Sequence, residues 1–311
     1  MALVAFVVNG TLLRDPRGFL RRCQAAARDR GWDPWLAPTT EAENGRGLAR
    51  RAVADGAALV FAAGGDGTVR ACAEALAGTG VPLAIVPLGT ANLTARALGV
   101  PGPAGRALEA GFGGRDRTID LARITGDGID TGDARAGAGT GAGGTWFTAM
   151  AGIGLDAAVV EAAARAPLKR QLGWVAYAVA GATRLWLPPH EFTVQLDDAE
   201  PIRRQARCVA VANAGLLPGG FALLPGARLD DGRLDVGILA PSGVLGWPRT
   251  AARVLTRSRH QDRTLERFQA RRVEIAAAVD LPRQVDGEIV AAGRTLTVTV
   301  CPGALTVRQP R

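Results

Sequence analysis

Lysine is almost missing from this chain. Of its 37 basic residues one, Lys169, is a lysine, so the net charge of +8 is carried by arginine. A phosphate loop of the GxxxxGK[ST] type needs a lysine behind a glycine run, and Lys169 follows none, which excludes P-loop nucleotide chemistry. Aromatic residues are 5% of the composition. That is too few for the stacking platforms that grip nucleic acid, although a basic balance favours anionic partners. The two histidines, His190 and His260, have no companion at ligand or triad spacing. Four dispersed cysteines, Cys23, Cys72, Cys208 and Cys301, follow no metal spacing and read as small core residues in a reducing compartment. No apolar run nears the roughly 18 residues of a membrane span, and residues 1–8 lack the charged start and cleavage site of a signal peptide. The expected setting is cytoplasmic, with at most peripheral membrane association.

What is present is enough apolar residue, 48% of 311, for two cores. Strands at 5–8, 35–37, 57–63 and 81–87 alternate with helices at 16–30, 41–55 and 69–76, the pattern of a parallel sheet covered on both faces. From residue 118 the regime changes. Strands at 118–124, 146–153, 192–196, 208–212, 234–239, 272–279, 283–285, 295–300 and 305–308 are interrupted by helices at 155–165, 168–186 and 246–260. The low-complexity stretch 125–144 is left as a loop. The expected domains are residues 1–120, α/β and nucleotide-binding, and residues 121–311, mainly antiparallel β, with the last strands returning to the first domain.

The stretch from Phe61 to Val69 runs an apolar strand into Gly64-Gly65-Asp66-Gly67-Thr68. Such a turn lies at a strand's carboxyl end, where open α/β sheets bind ligands. Its glycines let an anion approach the backbone, and Thr68 is expected to cap the next helix. Asp66, a carboxylate among donors, suits a metal ion, an ordered water or a hydroxyl proton better than a phosphate. The next strand ends in Leu88-Gly89-Thr90-Ala91-Asn92, so two glycine-threonine turns should share one rim. Two further clusters stand in the second half: Leu229-Asp230-Asp231-Gly232-Arg233-Leu234-Asp235 and Gln284-Val285-Asp286-Gly287-Glu288. Each also has a plain reading, a type I turn with solvated carboxylates at Asp231 and a type I′ hairpin at Asp286-Gly287. Gly126-Asp127-Gly128-Ile129-Asp130 mimics the phosphate turn without a buried strand before it and reads as a decoy.

Those motifs, together with Gly152-Ile153-Gly154-Leu155-Asp156-Ala157, occur in the order found in diacylglycerol kinase-like lipid kinases, a family that includes bacterial diacylglycerol kinases and sphingosine kinases. The chain resembles that family over nearly its whole length. The resemblance implies an α/β nucleotide domain, a carboxyl-terminal β-sandwich, and a cleft where ATP meets a lipid during phospholipid metabolism. It implies that Asn9, Thr39, Gly64, Gly65, Asp66, Gly67, Thr68, Gly89, Thr90 and Asn92 serve the nucleotide. It further implies that Asp231, with the carbonyls of Arg228 and Arg233, holds Mg²⁺, and that Asp286 or Glu288 takes the hydroxyl proton while Asp66 arranges phosphates and metal. Phosphoryl transfer needs positioning, charge neutralisation and one acid near the hydroxyl, which these parts can supply.

The chain departs from the family's usual pattern at Gly10-Thr11, where a proline and a Ser/Gly stretch commonly follow Asn9, at Arg70 and Ala71, where Asn and Glu are commonest, and at Leu93, where an Asp often stands. An NAD kinase-like enzyme on a soluble dinucleotide and a non-catalytic nucleotide or lipid binder are the two other readings. Arginines at 249, 253 and 257 and at 259, 263, 267 and 271 form stripes that suit acidic headgroups or a solvated helix face. Trp174, Tyr177 and Trp186 suit an acyl pocket or core packing.

Overall fold

The computed structural model describes residues 1–40, 42–129, 144–165, 174–215, 223–241, 246–248, 250, 252, 256 and 263–311. The chain divides into two compact units, Met1–Ile119 with Gly303–Arg311, and Asp120–Pro302.

The first unit is built on a parallel sheet of β1 (Ala2–Val8), β2 (Trp32–Pro38), β3 (Ala57–Gly64) and β4 (Leu83–Pro87), in the order β4-β3-β1-β2. Strands β1, β3 and β4 are short apolar runs because both faces are covered, with Val4 to Val8, Leu59 to Ala63 and Leu83 to Val86 all buried, while β2 at the end of the order buries only Ala37. Phe6 stacks on Phe61 at 4.8 Å between ring centroids, and Phe112 tilts against Phe61 at the same distance. Around the sheet lie α1 (Pro16–Arg28), α2 (Arg46–Ala54), α3 (Asp66–Leu76), α4 (Leu93–Ala97) and α5 (Ala104–Gly113). In α1 the Asp15 carboxylate caps the Gly18 N–H at 2.8 Å, Pro16 opens the helix, and Phe19, Cys23 and Ala27 bury one face at four-residue spacing. The helix expected over 41–55 starts only at Arg46. Glu43 holds the N–H groups of Gly45 and Gly47 at 3.0 Å each, and Gly45 sits at φ 114.

The chain leaves and re-enters this unit through β5 (Arg115–Thr125) and β14 (Glu288–Gln309). In β14, Val307 lies parallel to Leu83 of β4.

The second unit holds β6 (Thr145–Phe147), β7 (Met150–Gly154), α6 (Leu155–Arg165), α7 (Trp174–Arg184), β8 (His190–Leu196), β9 (Ile202–Ala206), β10 (Cys208–Ala212), β11 (Leu234–Leu239), β12 (Leu265–Ala270) and β13 (Arg272–Val285). Its antiparallel order is β12-β11-β10-β7-β13-β14, with β8 between β13 and β9 and with β6 on β5. Alternating inward residues such as Phe147, Ile153, Phe192, Val209, Ile238 and Val273 build its core. The two strands expected at 272–279 and 283–285 are one, continued through register shifts around Leu281. Adjacent charged residues, Arg203 and Arg204 in β9 and Glu266 and Arg267 in β12, hid the period of these strands.

Arg267 lies in β12, which pairs with β11, and Arg263 and Arg271 flank that strand, so the second arginine stripe is not a helix face. Arg249, Arg253, Arg257, Arg259, His260, most of the 125–144 loop and residues 166–173 lie outside the described residues. Trp186 is 75% exposed and does not pack in the core. Cys23, Cys72 and Cys208 are buried free thiols. Burial pushes Cys23 and Cys72 up to about 12, as inert core residues require. Among the described residues no helix is long and apolar enough to cross a membrane.

Candidate active site

Strand β1 neighbours β2 on one side and β3 on the other, so the direction of winding reverses between β1 and β3. Ligands of open α/β sheets bind at the carboxyl edge of such a switch point. Asn9 follows β1 there, its N–H bonded to the Ala63 carbonyl at 2.8 Å, and Thr39 follows β2, its N–H on the Val8 carbonyl at 2.9 Å. The Asn9 side chain accepts from the Thr11 N–H and hydroxyl at 3.2 and 2.7 Å, which starts a single 3-10 turn over Gly10–Leu12.

The glycine-rich turn leaves β3 at the same edge. Helix α3 begins at Asp66, three residues earlier than expected, with Gly65 as its N-cap. The Gly-Asp-Gly-Thr segment is therefore the helix's own start, and its first N–H groups precede the first helical bond, Val69 N–H to Gly65 carbonyl at 3.1 Å. This corrects the role expected for Thr68. It does not cap the helix but lies inside its first turn, buried, with its side chain in the space a Cβ on Gly64 would take, 2.5 Å away.

The second turn is locked to the first. Asp66 Oδ1 accepts the Leu93 N–H at 2.7 Å, and the Leu88 N–H donates to the Gly64 carbonyl at 2.9 Å. Asn92 closes its own loop, accepting from the Gly89 N–H at 3.0 Å and donating to the Gly89 carbonyl at 2.7 Å. It does so at φ 48, a left-handed conformation that asparagine tolerates. Gly89 passes so close that a Cβ on it would lie 2.7 Å from the Gly65 Cα. Thr90 sits within this closed loop. Leu93 and Ala71, two of the departures from the usual pattern, are buried, while Arg70 is half-exposed.

In the second unit the Asp286-Gly287 dipeptide makes the tight turn from β13 to β14. Val285 pairs with Glu288, and the two turn residues take φ 49 and 78, the signs of a type I′ turn. Asp286 is buried, and its carboxylate accepts four hydrogen bonds: from Thr148 N–H and hydroxyl at 2.9 and 3.0 Å, Ala149 N–H at 2.8 Å and Met150 N–H at 3.0 Å. Glu288, two residues on, is exposed.

The Asp231 turn is held from below by Asp120, a buried residue that sequence reasoning passed over. Its Oδ2 accepts the Gly232 N–H at 2.7 Å and its own N–H donates to the Leu229 carbonyl at 2.6 Å. Asp231 Oδ1 accepts the Arg233 N–H at 3.0 Å, and Arg228 reaches Asp230 at 3.5 Å. Burial pushes the neighbouring Asp235 carboxyl up to about 6, against a hydrogen bond from Gln269, and the Asp231 charge adds to the rise. Among the described residues no three His, Cys, Asp or Glu side chains gather as a metal cluster. Any cation at the Asp231 turn would rest on one carboxylate and on carbonyls.

Asp127, in the supposed decoy, has a structural partner. Arg283 is completely buried and donates to Asp127 Oδ1 at 2.7 Å, to the Ala291 and Thr295 carbonyls at 2.8 and 2.6 Å, and to the Asp127 carbonyl. Nothing in the local pattern signals this, because the two residues are 156 positions apart.

A parallel α/β unit with a glycine-rich turn at its switch point, followed by an antiparallel β unit, defines the fold shared by NAD kinases and diacylglycerol kinases. Residues 4–124 match the diacylglycerol kinase catalytic domain, and residues 149–309 match the YegS C-terminal NAD kinase beta sandwich-like domain. The chain belongs to the diacylglycerol kinase-like lipid kinase family. It is 34% identical to a protein of Pseudomonas fluorescens named "Probable lipid kinase YegS-like", over 94% of this chain and 90% of that one. A diacylglycerol kinase of Mycobacterium tuberculosis is 33% identical over 68% of this chain and 64% of its own length. Among solved structures, a diacylglycerol kinase from Bacillus anthracis superposes with a TM-score of 0.69 at 18% identity, covering 98% of this chain and 96% of that one. An NAD kinase from Archaeoglobus fulgidus in complex with ATP gives 0.51 at 12% identity, covering 100% and 94%.

Proposed function

We propose that this protein transfers the γ-phosphoryl group of ATP to a hydroxyl of a membrane lipid of diacylglycerol or long-chain-base type. The observation that carries the reading is the locked pair of turns at the switch point, with Gly65 and Gly89 in close approach and Asp66 bonded to Leu93. That pair offers backbone N–H groups of Gly65, Asp66, Gly67 and Thr68 to a polyphosphate, with Asn9, Thr39, Gly64, Gly89, Thr90 and Asn92 along the same rim. Asp66 acts chiefly by holding the second turn, and through it the phosphate-facing backbone.

Glu288 takes the hydroxyl proton. Asp286 is the poorer base because four donors already occupy its carboxylate, and removing its charge would strand them. It serves instead as the anchor of the turn that presents Glu288. The Asp231 carboxylate with the Arg228 and Arg233 carbonyls is an oxygen-only donor set that fits Mg²⁺. Mg²⁺ bound there supplies a positive charge that braces the turn, while arginines take the role lysine has in P-loop enzymes.

The test is transfer of label from [γ-³²P]ATP into extracted lipids, with an NAD arm alongside. Labelled lipid that disappears with Glu288→Gln is the expected result. Labelled NADP with no labelled lipid, or lipid binding without transfer, would overturn the reading.

A further inference from the structure

Glu288 is exposed, and a proton acceptor on an exposed side chain needs its backbone fixed from beneath. We propose that Asp156 and Gln284 form a positioning pair that fixes the Asp286-Gly287-Glu288 turn from its second corner, an inference that rests on the reading of Glu288 as proton acceptor.

Gln284 is 2% exposed and bridges two partners with opposite demands. Its Nε2 donates to Asp156 Oδ2 at 3.1 Å, and its Oε1 accepts the Gly287 N–H at 2.9 Å. The reverse orientation of the amide would face two donors at Gly287 and two acceptors at Asp156, so the partners fix it. Asp286 anchors the first corner through Thr148, Ala149 and Met150, and the Gln284 amide anchors the next residue, Gly287. Glu288 follows directly.

The place of Asp156 is reserved for its carboxylate. Gly152 faces Gln284 across the β7-β13 ladder, and a Cβ on it would lie 1.7 Å from Asp156 Oδ2. The glycine at 152 thus clears the space through which Asp156 reaches Gln284. Burial holds the carboxyl up to about 6, against the hydrogen bond from Gln284 and the nearby N–H groups of Ala157 and Asp156. A carboxylate buried this deeply is unfavourable for folding, and an apolar residue would pack there at less cost. What the carboxylate does provide is a fixed orientation for the amide that holds Gly287.

The experiment separates positioning from packing by a swap of polarity. Gln284→Glu sets two carboxylates against each other. Adding Asp156→Asn to it returns a donor to the Asp156 side while the new carboxylate still accepts the Gly287 N–H. Amide exchange of residues 284–288 by NMR is measured on the full chain without substrate, beside kinetics with ATP and dioleoylglycerol in mixed micelles. Gln284→Ala is expected to speed Gly287 exchange by about tenfold or more. It should also lower kcat by about 10–100-fold while leaving the KM for ATP unchanged, because misplacement of an acid acts on transfer and not on nucleotide binding. Gln284→Glu should do the same, and the double variant should restore both readouts. In a Glu288→Gln background Gln284→Ala should lower kcat no further.

Unchanged Gly287 exchange in Gln284→Ala, or no recovery in the double variant, would overturn the pair. A fully active Glu288→Gln enzyme would instead overturn the proton-acceptor reading, and with it the pair's catalytic role, whatever the exchange shows.

Discussion

Gly65 and Gly89 face each other across the two locked turns, yet the space around them is unequal, and this separates two substitutions that look alike. A methyl added at Gly89 meets the Gly65 Cα at 2.7 Å and Asn92 Oδ1 at 2.9 Å. A methyl at Gly65 meets the Gly89 Cα at 3.6 Å and Leu12 Cδ1 at 3.9 Å, ordinary contact. Gly89→Ala must therefore push two backbones apart by roughly 0.7 Å, a forced overpacking of about 1–3 kcal/mol. The same shift strains the 2.7 Å bond from the Leu93 N–H to Asp66. Gly65→Ala loses only the better N-cap, about 1 kcal/mol or less, but sets its methyl beside the N–H groups proposed to meet the phosphates. Thermal unfolding and the KM for ATP should accordingly split the pair. Gly89→Ala should lower Tm by several degrees and reduce turnover by about 10²-fold, whereas Gly65→Ala should nearly keep Tm and raise the KM for ATP by about tenfold or more. A Gly89→Ala protein with unchanged Tm and unchanged turnover would refute the close approach, and a Gly65→Ala protein with an unchanged KM for ATP would refute the proposed placement of the phosphates.

Asp127→Asn leaves the Arg283 charge buried with only carbonyls and an amide oxygen around it. Since Asp127 is itself 47% exposed, the loss should fall near the low end for a broken buried pair, about 2–3 kcal/mol, read as a lower urea midpoint; an unchanged midpoint would sink the account. Asp286→Asn should lower stability and activity together, because its amide turns a donor toward the donors of residues 148–150. Glu288→Gln should lower activity alone, and equal unfolding midpoints for Asp286→Asn and the parent would contradict the anchor role. Asp156 has its carboxyl held up at about 6 against an ordinary 3.8, so the folded protein keeps a proton that the unfolded chain releases. Its contribution is fully present below about pH 4 and is lost as pH rises through 6. Asp156→Asn should therefore gain stability relative to the parent between pH 4 and pH 7 in urea titrations, and a difference independent of pH would show that Asp156 is not buried as described.

The parallel unit was legible because β1, β3 and β4 are buried on both faces and so appear as unbroken apolar runs, the last two ending in glycine turns. The α/β order, the turn at Gly64 to Thr68 and the hairpin at Asp286-Gly287 rest on such local signals. Boundaries failed where local hydrogen bonding and glycine backbone, not hydrophobic period, decide them. Helix α2 starts late because Glu43 holds the N–H groups of Gly45 and Gly47, and α3 starts early because the glycines are its first turn. Strand β12, whose Arg267 suggested part of a stripe on a helix, exists because β11 offers it a partner. Asp120, Asp127 and the Asp156-Gln284 bridge were invisible for a related reason: each acts on a segment more than a hundred residues away.

Those long-range carboxylates change how the motif residues should be read. An aspartate in a glycine-rich motif invites a catalytic or metal role, because its charge is the conspicuous feature. In this chain the carboxylates of Asp66, Asp120, Asp127 and Asp286 all accept backbone N–H groups from distant segments. Turns of glycine and small residues have little side-chain packing to hold them, and a carboxylate that accepts several N–H groups is a compact way to fix one, each charged hydrogen bond contributing about 1.5–3 kcal/mol. Glycine gives the backbone room to meet a phosphate, and aspartate then holds that backbone in place. In the proposed reaction, the acid left for chemistry is the one such a turn delivers to the surface, which in the second unit is the exposed Glu288.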